Sequence, residues 1–292
     1  MSRNALIKEE TRFKLATLAG GVALVLAGAV VTSDAIAQIA TTKHNLGSTG
    51  TVGNNKFDGT DEICVFCHTP HGADSSASAP LWNRVLGSAT YTTYDSLGTA
   101  TLDGKVAKVG SVSIACLSCH DGTQAMNVVV NAPGTGNYSK TGVTMAGNWT
   151  GPRVVTSGPN AGKILGLPDV VSLLGTDLTN DHPIGIQYAG GGYSSSSPTT
   201  RAASAGDPAF KAPSHNMING KDVWWVETGG NATRNKEDMM LYGRPSADFA
   251  GGAGTEPSVE CGSCHDPHSA ANPTFLRTSN AQSAVCLACH IK

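Results

Sequence analysis

Aromatic and charged residues are scarce in this 292-residue chain, at 5% Phe, Tyr and Trp and 14% Asp, Glu, Lys and Arg. Few aromatics deprive the chain of its largest buried side chains, and 35 glycines add backbone entropy that folding must overcome. A polypeptide so composed does not readily bury a core by itself. Formal charge is nearly balanced, −2 at pH 7, and no basic stripe argues for a nucleic-acid partner. Beyond Val31 no apolar run is long enough to span a bilayer. Disulfides find no material either, because no cysteine stands outside one recurring pattern.

That pattern is Cys-x-x-Cys-His. It occurs at Cys64–His68, Cys116–His120, Cys261–His265 and Cys286–His290, and the four copies take all eight cysteines. Cys-x-x-Cys-His is the attachment signal for c-type haem. On a helical turn, residues i, i+3 and i+4 share one face, so both sulfurs and the imidazole meet the same macrocycle. Structural zinc, a thioredoxin-like pair or a disulfide framework would each use paired cysteines, but none requires histidine directly after every pair. Nine histidines in 292 residues put one at a given position with odds of about 0.03, and at all four by roughly one in a million. The expected cofactors are four covalently bound haem c groups. Cys64, Cys67, Cys116, Cys119, Cys261, Cys264, Cys286 and Cys289 would hold them, with His68, His120, His265 and His290 as proximal iron ligands. The macrocycles would then supply the core that the side chains lack, and the apoprotein should be largely unfolded.

Residues 1–37 read as an export signal. Arg3, Lys8, Arg12 and Lys14 precede the apolar run Leu15–Val31, and Ala35-Ile36-Ala37 matches a cleavage site. A retained anchor is the competing reading of that run. Export places the protein outside the cell or on its outer surface, with the periplasm as the alternative. Residues 38–292 form a single tetrahaem domain. The expected fold is mostly irregular coil, with short α-helices at the motifs, few short β-strands and no regular layers. Strand-like runs occur at Met126–Val130 and Val223–Val226, and Ile164–Leu174 is broken by Pro168. Gly190–Gly206 is rich in Gly, Ser and Thr and reads as a flexible surface loop.

Function turns on the sixth coordination position of each iron. An enzyme leaves one open, whereas a carrier closes them all. Beyond the proximal set, His44, His71, His182, His215 and His268 remain, one more than four haems need. His71 and His268 stand in matched contexts, His68-Thr69-Pro70-His71 and His265-Asp266-Pro267-His268. The proline stops the helix from continuing, so the second imidazole is redirected to a different haem. His182, followed by Pro183, is held extended, and Asp181 is placed to orient its ring. His44 lies on an arm with no other evident purpose. His215 is the leftover. Four bis-histidine haems and no open iron therefore describe an electron carrier rather than an enzyme. No Cys-x-x-Cys-Lys variant supports the competing class, a multihaem oxyanion reductase.

These pieces resemble a known family. Lys43-His44-Asn45-Leu46, Ile63–His71, Asn180–Gly185, Cys261–His268 and the terminal Cys286–Lys292 are similar to the OmcE-like tetrahaem outer-surface cytochromes of metal-reducing bacteria, which polymerise into extracellular filaments. The long middle, including Gly190–Met240, does not contribute. The resemblance implies a continuous chain of bis-histidine haems, with one axial histidine donated by the neighbouring subunit. With local chain geometry it implies His44 on the first haem, His268 on the second, His182 on the third and His71 of the adjacent subunit on the fourth. The implied partners are further copies of the chain, other redox proteins and extracellular electron acceptors.

Overall fold

The structure is a computed structural model that describes residues 39–51, 53–134, 137–165, 171–202, 204–230 and 233–291. The export signal at 1–37 and Pro168 lie outside the described residues. Most of the chain is turn and irregular coil, as expected, with short helices at the haem motifs. Among the described residues no helix is long and apolar enough to cross a membrane.

Two cores carry the motifs in pairs. In the first, strands β1 (Lys56–Phe57) and β4 (Trp149–Thr150) pair, as do β2 (Val128–Asn131) and β3 (Tyr138–Thr144). Phe57, Phe66 and Trp149 form an aromatic cluster there, with ring centroids 5.1–6.1 Å apart. Phe66 is a variable residue of the first motif, so that motif is itself part of the core. Cys67 and Cys119 pack against the same cluster.

The second core departs from the expectation of no regular layers. Strands β5 (Ile186–Gln187), β6 (Ser214–Ile218), β7 (Lys221–Val226), β8 (Met239–Pro245) and β9 (Thr255–Val259) make a five-stranded antiparallel sheet in the order β5-β9-β8-β7-β6. The β6–β7 hairpin explains why it forms. Asn219 and Gly220 both take positive φ, 51° and 71°, and Ile218 pairs with Lys221 across them. Asn-Gly is the sequence such a two-residue turn prefers, since its twist matches the strands. Met239 and Leu241 alternate inward on β8 and meet Trp224 and Val226 of β7, with Ala288, Cys264 and Cys289 packed on the cluster. The expected Gly/Ser/Thr-rich loop follows β5 and is tied to the sheet, with Trp224 Nε1 donating to the Pro198 carbonyl at 3.0 Å.

Candidate haem sites

Each motif is closed by the same hydrogen-bonded turn. The first is a 3-10 turn at Cys64–Phe66, the second ends helix α1 (Ser113–His120), the third forms α2 (Cys261–Cys264) and the fourth overlaps α3 (Ala284–Leu287). The His68, His265 and His290 amides donate to the carbonyl of the motif's first cysteine at 2.8, 3.1 and 2.9 Å. Both thiols and the imidazole of each motif are thereby set one turn apart, as the spacing predicts. Gly262 has a steric reason of its own, because a Cβ there would collide with the Tyr242 hydroxyl.

Neighbouring motifs in sequence are neighbours in space. Burial above all, with nearby Cys119 adding to it, pushes the Cys67 thiol up to about 12. Cys116 and Cys261 share a sulfur–sulfur hydrogen bond that pushes Cys116 up and Cys261 down. Burial also raises Cys264, with Cys261 and Cys286 adding to the effect. The thiols thus run from the first motif to the fourth without a gap at the centre, where α1 meets α2. Ser113 Oγ crosses that junction, donating to Glu260 Oε2 at 2.5 Å and accepting from the Cys261 amide at 3.0 Å.

The imidazoles are held with one nitrogen committed and the other left for iron. Nδ1 of His68, His120 and His265 each lies 2.7 Å from a backbone carbonyl, of Pro80, Ser172 and Thr274 respectively. A carbonyl accepts, so Nδ1 carries the proton and Nε2 keeps its lone pair. Burial pulls His44 down to about 4 and lowers His120 as well, so both stay neutral near pH 7.

Two histidine pairs then meet across the molecule. His68 and His268 have ring centroids 6.0 Å apart, and His44 and His120 have theirs 6.3 Å apart. An iron held between two imidazole nitrogens, each at about 2 Å, separates the ring centroids by about 6 Å. The residues present therefore fit a bis-histidine haem at the first and second motifs. The expected assignment had His44 on the first motif and His268 on the second, whereas the rings lie the other way round. The crossing has a simple cause. The segment His265–His268 leaves α2 extended, with His265 at φ −108° and ψ 132°, and runs back toward the first motif. On the way the Pro267 carbonyl accepts a hydrogen bond from His44, and the Phe275 ring stacks on His44 at 4.3 Å. His44 is thus aimed at His120.

The other candidates are placed less completely. His182 is exposed, and its Nδ1 lies 3.0 Å from the Pro183 carbonyl. This is not the Asp181 contact expected for it. Its segment is nevertheless brought to the third motif, because the Gly185 amide donates at 2.8 Å to the carbonyl of Val259, two residues before Cys261. Phe210 packs on His290 at 4.2 Å, and the Lys211 amide donates to the Cys289 carbonyl at 2.9 Å. His71 is exposed, and its carbonyl accepts from Asn131 Nδ2 at 3.1 Å. His215, the leftover, has its Nε2 on Asp222 Oδ1 at 2.8 Å.

Sequence reasoning overlooked the support around these ligands. Asp266 faces His268 Nδ1 at 3.5 Å, and its position two residues upstream was the available signal. Fully buried Asn83 receives the Asn131 amide at 2.8 Å and donates through Nδ2 to the Val65 carbonyl at 2.6 Å. Nothing in the sequence around Asn83 announces this.

Residues 256–292 match the family described as the doubled CXXCH motif, which covers the third and fourth attachment sites. No curated protein matches the chain. The matched motifs are those of c-type haem attachment, the kind that multihaem electron-transfer cytochromes carry.

Proposed function

We propose that this is a secreted electron carrier with four haem c groups, each held between two histidines, and that it polymerises into an extracellular filament. The observation that carries the reading is the spacing of the two histidine pairs, which fits iron in both and leaves His71 directed to solvent. Haem iron, when bound, supplies reversible one-electron chemistry. The chain's residues define what that iron can do. His268 and His44 close the sixth positions at the first and second motifs, and His182 does so at the third. The carbonyls of Pro80, Ser172 and Thr274 fix the tautomer of three proximal rings. His71 is left to close the fourth site of the next subunit, making the first motif a polymer joint as well as a cofactor site. Closed axial positions exclude small oxyanions, so the chain acts as a conduit and not as a reductase. Other redox proteins and extracellular acceptors are its partners.

Electron microscopy and low-temperature EPR of secreted material test this. His71→Ala is expected to abolish filaments and to leave one haem per subunit high-spin. Filaments of the variant with every haem low-spin would sink the assignment, and wild-type material that never polymerises would leave a discrete shuttle.

The crossed pairing has its own test. His268→Ala and His44→Ala should each convert one haem to high-spin. In a background lacking the first attachment site, Cys64→Ala with Cys67→Ala, His268→Ala should add no high-spin signal while His44→Ala still adds one. The opposite pattern would restore the uncrossed assignment.

A further inference from the structure

Arg84 is fully buried and lies between the first two motifs. Its neighbours tie it to both. Asn83, directly before it, donates its amide to the Cys67 carbonyl at 2.8 Å, and Trp82 bridges His68. On the other side the guanidinium reaches into the second motif itself, with Nε donating to Ser118 Oγ at 3.0 Å and Nη2 to the Ser118 carbonyl at 2.7 Å. Nη2 also donates to the Ala125 carbonyl at 3.2 Å, and Nη1 to the carbonyls of Met126 and Val128 at 2.8 and 3.1 Å.

A guanidinium has five N–H donors and does not lose its proton in proteins. Here all five are taken by neutral oxygens. Among the described residues no carboxylate forms an ion pair with Arg84. Arg244 provides the contrast, since it is also buried yet pairs with both Asp248 and Glu260. Burying a lone charge is costly, and a neutral staple for these carbonyls would avoid that cost.

We propose that Arg84 is a positioning residue whose fixed positive charge raises the reduction potentials at the first and second motifs. Taking up one electron lowers the charge at the iron by one, and a nearby fixed cation favours the state with less positive charge. The interior location matters, because burial leaves the field poorly screened by solvent and salt. This rests on the motifs holding haem, and the test separates the two ideas.

The full-length holoprotein is purified as wild type, Arg84→Met, Arg84→Lys and Ser118→Asp. Haem content is measured by pyridine haemochrome absorbance, and the potentials by spectroelectrochemical titration. A wild type with no covalent haem would overturn the haem reading and this proposal with it, whereas the variants below test the proposal alone. With haem present, Arg84→Met is expected to move about half of the titration curve to lower potential. The expected size is about tenfold in the reduction equilibrium constant, or about 59 mV for a one-electron couple. Arg84→Lys keeps the charge and should stay near the wild-type curve. Ser118→Asp retains the guanidinium but sets a carboxylate against Nε, and should lower the same part of the curve. It therefore carries the test even if Arg84→Met does not fold. Wild-type titration curves for haem-replete Arg84→Met or Ser118→Asp would overturn the proposal, as would a shift in Arg84→Lys as large as that in Arg84→Met.

Discussion

Produced without haem attachment, the chain is expected to show no cooperative unfolding transition and little fixed tertiary structure. The reason lies in what the two cores are made of. The first includes Val65 and Phe66 from inside an attachment motif, with Cys67 and Cys119 packed on it. The second includes Ala288, with Cys264, Val285 and Cys289 packed against it. In both, one wall of the core is the residues that carry the macrocycle. The helices there are too short to persist alone, since α1 has 8 residues and α2 and α3 have 4 each. Replacing all eight cysteines with alanine and following near-ultraviolet circular dichroism against temperature provides the measurement. A sharp transition at the temperature of the haem-loaded protein would show that the side chains suffice. The β6–β7 hairpin is the element best able to retain local order, because its Asn-Gly turn does not depend on the haem sites.

Local features of the fold could be read from the sequence, and long-range ones could not. The motif turns follow from the i, i+3, i+4 spacing. The apolar runs at Met126–Val130 and Val223–Val226 overlap β2 and β7, because β-branched and aromatic residues suit a half-buried strand. The sheet order was hidden, since β5 joins β9 across nearly seventy residues and no local pattern records that pairing. The same holds for the ligands. Pro267 indicated that His268 must leave its own motif, but its place beside His68 is set by a contact between residues 200 positions apart in sequence. The family resemblance put His44 with the first motif, whereas contact with Pro267 and Phe275 holds its ring beside His120. Arg84 had no signal, because a single arginine in coil is ordinarily a solvated one.

Loss of Glu260 is expected to destabilise the molecule by about 3–5 kcal/mol, the range for removing one partner of a buried ion pair. Its side chain is fully buried at the seam between the second and third motifs. Arg244 Nη1 lies 3.3 Å from one oxygen, and Ser113 Oγ donates to the other. Its amide also donates to Ser263 Oγ at 2.9 Å, completing a capping box on α2. Glu260→Ala would leave the Ser113 hydroxyl buried without its acceptor and Arg244 with Asp248 as its remaining carboxylate partner, which guanidinium denaturation of the holoprotein would register. The pH dependence distinguishes the charge from the hydrogen bonds. Burial is the largest influence and raises the carboxyl above its ordinary value, against the lowering effects of Ser113 and Arg244. A carboxyl raised on folding contributes stability that is complete below its unfolded value and lost as pH rises through the folded one. Glu260→Gln resembles the protonated state at every pH. Wild type should therefore lose stability relative to Glu260→Gln as pH rises from about 4.5 through the raised folded value. A relative gain over the same window would mean that Arg244 outweighs burial, and that the pair favours the ionised state at the seam.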